Sequence, residues 1–339
     1  LHSSFELFLL NHKNQSKANF EKQIREKYQG INFKINSINN SVFFKRDLVY
    51  GLYVSIKCMW SQSIFYTRQD WVALFLSLFN KTVFFEAHDF NEKRICLRLM
   101  KKFISNKNNF KIITISKALK EKFREKNFRN SIDVVHDGVD INFYHPLSKY
   151  ESRKEIGLDP NSKLVLYSGA LREGRGVNKV IEIATIRKDV QFLIFGGRDK
   201  KRLNFLKQRS KDVSNIHFFG FVNKEKLKKY MDAADIFIMP HQKNCDIIEF
   251  TSPLKMFEYL AMGKPIVASE FPVFREVLKN DFNALLVKPD SKNDFAKTID
   301  TLFNDKDKYE FISKNALKSS KGYTWGKRAS NIIRAINDK

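Results

Sequence analysis

The sequence predicts an α/β protein made of two Rossmann-like, doubly wound parallel-sheet domains. Three observations carry this. The chain has 339 residues, roughly twice a typical single domain. From about residue 162 onward, short continuous apolar runs alternate with amphipathic helical stretches, as in a parallel sheet with helices on both faces. The first half repeats the same alternation less clearly.

Taken in order, a lobe of this kind should open with a strand and a tight, often glycine-rich turn. Residues 4–10 read instead as helix, and the first glycine is Gly30. The opening strand is therefore expected to be missing or replaced. Residues 64–67, 83–87, 112–116 and 133–135 read as strands, with helices at 71–79, at 92–104 and after Ser116. In the second half, strands are expected at 163–169, 190–197, 216–220, 235–240, 265–269 and 284–288. Helices at 177–186, 201–211, 224–233 and 253–262 separate them. The lobes are expected to span residues 1–145 and 146–322, with a last helix over 323–339.

Composition narrows the function classes. Hydrophobic residues make up 43% and charged residues 29%, which excludes a disordered or collagenous chain. The longest uncharged apolar stretches are about half a membrane span, and no signal peptide is visible. Cys58, Cys96 and Cys245 lie far apart without metal-ligand spacing, and read as reduced thiols of a cytoplasmic protein. The net charge is +24, and residues 93–129 hold 13 basic groups against Glu121 and Glu125. Within this segment Cys96, Leu99, Met100 and Phe103 form a core-facing stripe, and Lys93, Arg94, Arg98, Lys101 and Lys102 occupy the other positions. From charge alone such a face fits an anionic membrane surface, a solvated helix or a nucleic acid. No nucleic-acid-binding motif is present, and the phenylalanines fall at core positions, so nucleic acid is not an expected partner.

The most informative segment is FTSPLKMFEYLAMGKPIVAS, residues 250–269. Ser252 suits an N-cap and Pro253 the first helical position. Gly263 is placed to end the helix in a left-handed conformation. A helix start at the carboxyl end of a parallel sheet favours a phosphate, through free N–H groups and the helix dipole. Glu258 lies a turn and a half in, where its carboxylate could accept two ribose hydroxyl protons. On spacing alone, a capped structural helix with one exposed Glu explains the segment as well.

This segment resembles the donor-site helix of the family 4 glycosyltransferases, the "group 1" enzymes with two Rossmann-like domains. Residues 134–146 (VVHDGVDINFYHP) are similar to their linker, and residues 167–176 (YSGALREGRG) to the first strand and phosphate loop of their donor domain. FGG at 195–197, HFFGFV at 217–222 and AADIFIMP at 233–240 follow in the family's order, and FEAHD at 85–89 matches its acceptor-domain histidine motif. The resemblance covers roughly residues 64 to 335. It implies the GT-B fold, with the two domains facing across a cleft, and a final helix that crosses back to the first.

What the resemblance implies can be carried over position by position. Glu258 matches the second Glu of the family's E-x7-E motif, which holds the ribose. The first should fall at Phe250, with Glu249 off by one, as in the S-P-L-K form of this helix. Arg175 takes the place of the Lys that binds the donor diphosphate. The family's Arg after the strand-end glycine is replaced by Ala170, and Arg172 is a substitute for it. Gly169, Phe221, Val222, Ser252, Pro253, Leu254 and Lys255 complete the expected donor site. His88, at the carboxyl end of its strand, is expected to bind the donor sugar; a His–Asp pair capping the next helix through Asp89 is the plainer reading. Glu86 should point to the same side as His88, and Arg68 is a further acceptor-side candidate, with a solvated surface role as its alternative. His136, His145, His217 and His241 carry no signal.

Together these readings describe a retaining glycosyltransferase, moving a sugar from a nucleotide-diphosphate donor to a glycan or lipid-linked glycan acceptor. The setting the resemblance implies is surface polysaccharide or lipopolysaccharide assembly. No metal or other cofactor is expected, since the chain has no clustered Asp-x-Asp or His motif of metal-binding type, and Asp137 and Asp140 read as turn residues. Phe250 and Ala170 keep a second reading open, a sugar-nucleotide binding protein without turnover. Side-chain identity does not separate UDP, GDP and other bases.

Overall fold

The structure is a computed structural model that describes residues 5–11, 33–39, 46–245 and 248–337. It divides into two compact units. The first comprises Leu1–Ile113 and Phe123–Ile132, and the second Thr114–Lys122 and Asp133–Lys339.

In chain order the elements are β1 (Phe5–Asn11), β2 (Phe33–Asn39), α1 (Arg46–Lys57), β3 (Phe65–Thr67), α2 (Asp70–Leu78), β4 (Val83–Ala87), α3 (Ile95–Ile104), β5 (Phe110–Thr114), α4 (Lys117–Glu125) and β6 (Ile132–Val134). Then follow α5 (Lys149–Glu155), β7 (Lys163–Ser168), α6 (Val177–Ile186), β8 (Val190–Phe195), α7 (Lys200–Arg209), β9 (Ile216–Gly220), α8 (Lys224–Ala233) and β10 (Ile236–Met239). The series closes with α9 (Leu254–Ala261), β11 (Ile266–Ser269), α10 (Pro272–Arg275), β12 (Leu285–Val287), α11 (Lys292–Asn304), α12 (Lys306–Ser320) and α13 (Trp325–Asn337).

The start of the chain corrects the sequence expectation. Of the residues expected as helix at 4–10, Phe5 to Leu10 lie in strand β1, which pairs in parallel with β2 over its whole length, Phe5 opposite Phe33 through Asn11 opposite Asn39. FELFLLN contains good helix formers, but a near-continuous apolar run of seven residues is equally the signature of a parallel strand, and pairing decides between them. The opening strand is thus present; Gly30 lies outside the described residues. The two strands form a sheet of their own, and β3-β4-β5-β6 form a second.

Helix α3 brings a second correction. It begins at Ile95, three residues later than expected, and its buried side chains are Cys96, Leu97, Met100 and Ile104. Phe103, expected in the core, is exposed, as is Ile95, and Leu99 is half-buried. Seven of this helix's ten residues are apolar or Cys, so two stripes compete, and packing against α2 selects one.

The second unit's sheet runs β12-β11-β10-β7-β8-β9, all parallel, with the strand order reversing between β7 and β10. Period-2 alternation splits each strand between two cores. Leu164, Leu166, Leu193, Phe195, Phe237 and Met239 face one side, where α8 and α9 contribute Met231, Phe257 and Leu260. Val165, Tyr167, Phe192, Ile194, Ile236 and Ile238 face the other, where α6, α11 and α12 contribute Val180, Ile299 and Ile312. Burying both faces is what makes these strands continuous apolar runs. It also leaves the carboxyl strand ends, on either side of the switch point, as the place where loops can form a site.

Candidate functional site

A cavity of about 630 Å³ opens at the carboxyl ends of β7, β8 and β9, entirely within the second unit. Ser168, Gly169 and Arg172 line it after β7, Gly196, Gly197, Arg198 and Arg202 after β8, and Phe221, Val222 and Lys224 after β9, with Lys255 from α9 closing it. Five of the lining side chains are cationic, one of them (Lys255) paired with Glu258 outside the lining, against the single carboxylate of Asp199. That carboxylate is already occupied, since it accepts from the N–H groups of Lys201 (2.9 Å) and Arg202 (3.2 Å) as the N-cap of α7. A cavity with this surplus suits an anionic ligand.

Of the expected donor-site residues, Gly169, Arg172, Phe221, Val222 and Lys255 come together in this cavity. Glu258 is joined to it through Lys255, whose Nζ donates to its carboxylate at 2.5 Å. Ser252, Pro253 and Leu254 lie immediately before Lys255 on the chain. Arg175 is outside the cavity lining, and its guanidinium donates to Nε2 of His241 at 3.1 Å. Arg172 is exposed, as a mobile substitute for the residue replaced by Ala170 would be.

The start of α9 differs from the expectation. Pro253, with ψ at 121°, is the N-cap, so the helix begins at Leu254 and Ser252 does not cap it. Proline holds the preceding residue extended, and Ser252 then sits too far back to reach the first-turn N–H groups. Its Oγ is buried with no hydrogen-bond partner among the described residues. The helix start has no side-chain cap, which leaves its N–H groups for an anion. At the other end the expectation holds: Gly263 has φ +60° and its N–H bonds to the Leu260 carbonyl. Tyr259 pins the helix to the cavity, stacking on Phe237 (4.2 Å between ring centres) while its hydroxyl accepts the Ser168 N–H at 2.7 Å. Phe250, where the resemblance puts a Glu, is half-buried and uses its carbonyl to accept from Ser116 Oγ; Glu249 is exposed.

In the first unit, β4 ends with Glu86 and His88 on one side, as alternation requires. The buried Glu86 carboxylate accepts from His88 Nε2, and Arg68 Nε lies 3.7 Å from the same oxygen. Three expected residues are thus one cluster, with Glu86 as its shared anion. The plainer reading of Asp89 is replaced: Asp89 does not cap α3 but forms a two-pronged ion pair with Arg94, at 3.0 and 2.7 Å. Of the five basic residues expected at a membrane surface, Arg94 is spent on that pair, while Lys93, Arg98, Lys101 and Lys102 are exposed beside Ile95 and Phe103.

Several site residues escaped the sequence. Tyr144, in the linker, is hydrogen-bonded to Glu258, and burial together with that carboxylate pushes its phenol up. Arg198 lies over the Phe221 ring, 4.3 Å from its centre, and Lys224 over Phe143 at 4.7 Å. The glycines of residues 195–197 marked the strand end, and the Arg directly after them was the signal available for Arg198. His241 had no sequence signal at all. Among the described residues no group of three or more His, Cys, Asp or Glu side chains could hold a metal ion, and no helix is long and apolar enough to cross a membrane.

Comparison with known proteins agrees with this geometry. An uncharacterized glycosyltransferase of Methanocaldococcus jannaschii is 25% identical over 68% of this chain and 60% of its own length. The N,N'-diacetylbacillosaminyl-diphospho-undecaprenol alpha-1,3-N-acetylgalactosaminyltransferase of Campylobacter jejuni is 25% identical over 57% of this chain and 51% of its own. The alignments therefore span between about half and 60% of these relatives. Anabaena HepE, solved in complex with UDP-glucose, shares the fold across the full length of both chains, with a TM-score of 0.77 at 17% identity. The family model "Glycosyl transferases group 1" matches residues 148–319, half of the chain and the whole of the sheet that carries the cationic cavity. The chain belongs to the group 1 glycosyltransferases.

Proposed function

We propose that this protein transfers a sugar, with retention of configuration, from a nucleotide-diphosphate sugar to a glycan or lipid-linked glycan acceptor in cell-surface polysaccharide or lipopolysaccharide assembly. The observation that carries the donor half is the cationic cavity at the strand ends of a Rossmann sheet, bounded by the uncapped start of α9. The relative from Campylobacter jejuni, named for a diphospho-undecaprenol acceptor, supports the lipid-linked class.

In this reading the base lies along the Phe221–Val222 backbone, and the Glu258 carboxylate accepts from the ribose hydroxyls. The diphosphate meets Arg172, Arg175 and the N–H groups of Leu254 and Lys255. The acceptor hydroxyl attacks the anomeric carbon from the face the diphosphate leaves. As that carbon–oxygen bond breaks, its electron pair passes to the phosphate oxygen, which also takes the acceptor's proton. Fixed cations aimed at this growing charge stabilise the transition state by about 3 kcal/mol each. No metal is invoked in this scheme. His88 binds the transferred sugar, held by Glu86.

The test is binding of UDP, GDP, ADP and dTDP, and their sugars, with EDTA present, to wild type and Arg175→Ala. Selective binding of one diphosphate, weakened in the variant, is expected; binding without any turnover of its sugar would favour a non-catalytic binding protein. Absence of binding across the panel would overturn the reading.

The acceptor class gives the exposed face of α3 a role on the cytoplasmic surface of a membrane. Each basic group near anionic lipid contributes about 1 kcal/mol, and Ile95 and Phe103 can enter the headgroup boundary beside them. Lys101→Glu with Lys102→Glu should lower affinity for vesicles containing anionic lipid at least thirtyfold and leave donor binding intact. Unchanged vesicle binding would sink the membrane role alone.

A further inference from the structure

The stretch of loop that carries Arg175 packs against residues 240–245. Gly174 and Gly176 hold φ at +76° and +85°, and a Cβ on Gly176 would lie 1.7 Å from the Pro240 carbonyl oxygen. A Cβ on Gly174 would lie 2.6 Å from Cys245 Cα, and the Gln242 N–H donates to the Gly174 carbonyl at 2.8 Å. This packing sets the backbone of Arg175 but not the direction of its guanidinium, which four side-chain torsions leave free. The remaining constraint is His241. Its ring is 5% exposed, meets the edge of Phe274 at 5.1 Å between ring centres, and sits on a backbone whose carbonyl accepts from Ser269 Oγ at 2.6 Å. Its Nε2 faces the guanidinium at 3.1 Å.

We propose that His241 is a positioning residue: its neutral imidazole accepts a hydrogen bond at Nε2 from Arg175 and aims the guanidinium at the donor diphosphate. The inference rests on the donor-site reading above. Arginine has no acceptor, so the bond fixes the roles: Arg175 donates, and the ring carries its proton on Nδ1. Burial, and then the Arg175 charge, push His241 down to about 3, which keeps the ring an acceptor at neutral pH. The choice of histidine follows from charge. A carboxylate in this place would orient the guanidinium equally well but neutralise it, and would compete with the diphosphate. A neutral acceptor takes one of five N–H donors and leaves the full positive charge and the other donors for phosphate oxygens. The Lys255–Glu258 pair at the start of α9 shows the opposite arrangement, a cation spent on a protein anion.

The experiment measures binding of the tightest of UDP, GDP, ADP and dTDP, and of the corresponding nucleoside. His241→Phe keeps the ring shape and removes the acceptor; His241→Gln keeps an acceptor oxygen near the Nε2 position. Diphosphate affinity should fall about tenfold in His241→Phe and return to within threefold of wild type in His241→Gln, with nucleoside affinity unchanged in both. Added to Arg175→Ala, His241→Phe should cost nothing more. If His241→Phe lacks a native near-UV circular dichroism spectrum, His241→Asn reads the same loss, because its shorter amide does not reach Arg175. Wild-type affinity in the variants that lack the acceptor, or a further loss on top of Arg175→Ala, would overturn the positioning role and leave the donor site standing. An Arg175→Ala variant that binds diphosphate as wild type does would overturn the donor-site reading, and this inference with it.

Discussion

In each unit a histidine meets a charged partner at the candidate site, and in these two pairs the partners have opposite signs. In the first, His88 is 30% exposed and gives Nε2 to the buried carboxylate of Glu86. In the second, His241 is 5% exposed and turns Nε2 to the guanidinium of Arg175. An ionised carboxylate can only accept, so in that pair Nε2 of His88 carries the proton. An arginine can only donate, so His241 has its proton on the opposite nitrogen. In the roles proposed above, the same side chain faces a ligand in one setting and supports an arginine in the other, and the partner sets which.

The largest expected effect tests the second setting. Arg175→Ala removes the cation that the proposed mechanism sets against the leaving group, and should lower kcat for donor turnover by about a hundred- to thousandfold. Arg175→Lys should recover part of this, since the charge returns without the fork that His241 orients. Full recovery by Lys would show that the direction of the guanidinium is irrelevant, and would dissolve the contrast between the two histidines.

The next effect lies in pH. The folded pKa of His241 is held near 3, below the 6.5 of an unperturbed imidazole, by burial first and by Arg175 second. Besides the Arg175 guanidinium and the Phe274 edge, the ring meets the Met239 carbonyl, which opposes the shift but is outweighed, and these groups include no carboxylate. A lowered histidine pKa means that the unfolded chain binds more protons between the two values. Stability is therefore whole above about pH 6.5 and falls as pH drops toward 3. At pH 5 the loss is about 2 kcal/mol. Urea midpoints of wild type and His241→Phe should converge by that amount between pH 7.5 and 5. Parallel pH profiles would show that the ring is not held neutral by the fold.

How much of this was legible in the sequence differs between the two settings for a physical reason. His88 was found because its strand is a buried run and alternation placed Glu86 beside it, a relation two residues long. His241 was passed over because its partner is 66 positions away. Nothing in the spacing of residues 235–245 shows that the loop at 174–176 packs on it. The parallel strands of the second unit were legible because the inner ones, β7, β8, β10 and β11, are almost wholly buried on both faces. The strand at Phe5–Asn11 was not, because its composition fits a helix until a pairing partner is known. The Ser252 cap failed on one residue: Ser-Pro was read as cap and first turn, and the extended Pro253 moved the helix start onward. In α3 the apolar arc was wide enough for two stripes, and only the neighbouring helix chooses between them.

The first setting is tested by Glu86→Gln, which keeps shape and removes the charge behind His88. A hydrogen bond to a charged group contributes about 1.5 to 3 kcal/mol. Turnover should fall about ten- to a hundredfold, with KM for the donor little changed because the cationic cavity is untouched. Glu86→Gln should also loosen Arg68, whose Nε lies 3.7 Å from the same oxygen. A rise in KM without a fall in kcat would mean that Glu86 and His88 serve ground-state binding rather than the transferring sugar.

The smallest effect sharpens the comparison with a third partner arrangement, in which the central group is an anion. Glu258 lies between Lys255, which donates at 2.5 Å, and Tyr144, which is hydrogen-bonded to it from the linker. A carboxylate has lone pairs enough for both and for a ribose hydroxyl, so the two protein donors fix its plane without excluding the sugar. Of the two, Tyr144 is the one whose removal leaves the charge balance unchanged. Tyr144→Phe should cost about 1 kcal/mol, read as a fivefold rise in Kd for the nucleoside diphosphate. The loss should be equal for the nucleoside alone, since the ribose and not the diphosphate is involved. His241→Phe is expected to show the reverse pattern, a loss for the diphosphate and none for the nucleoside. Matching losses in the two variants on both ligands would mean that each acts through the stability of the unit, not through the carboxylate or the guanidinium it touches.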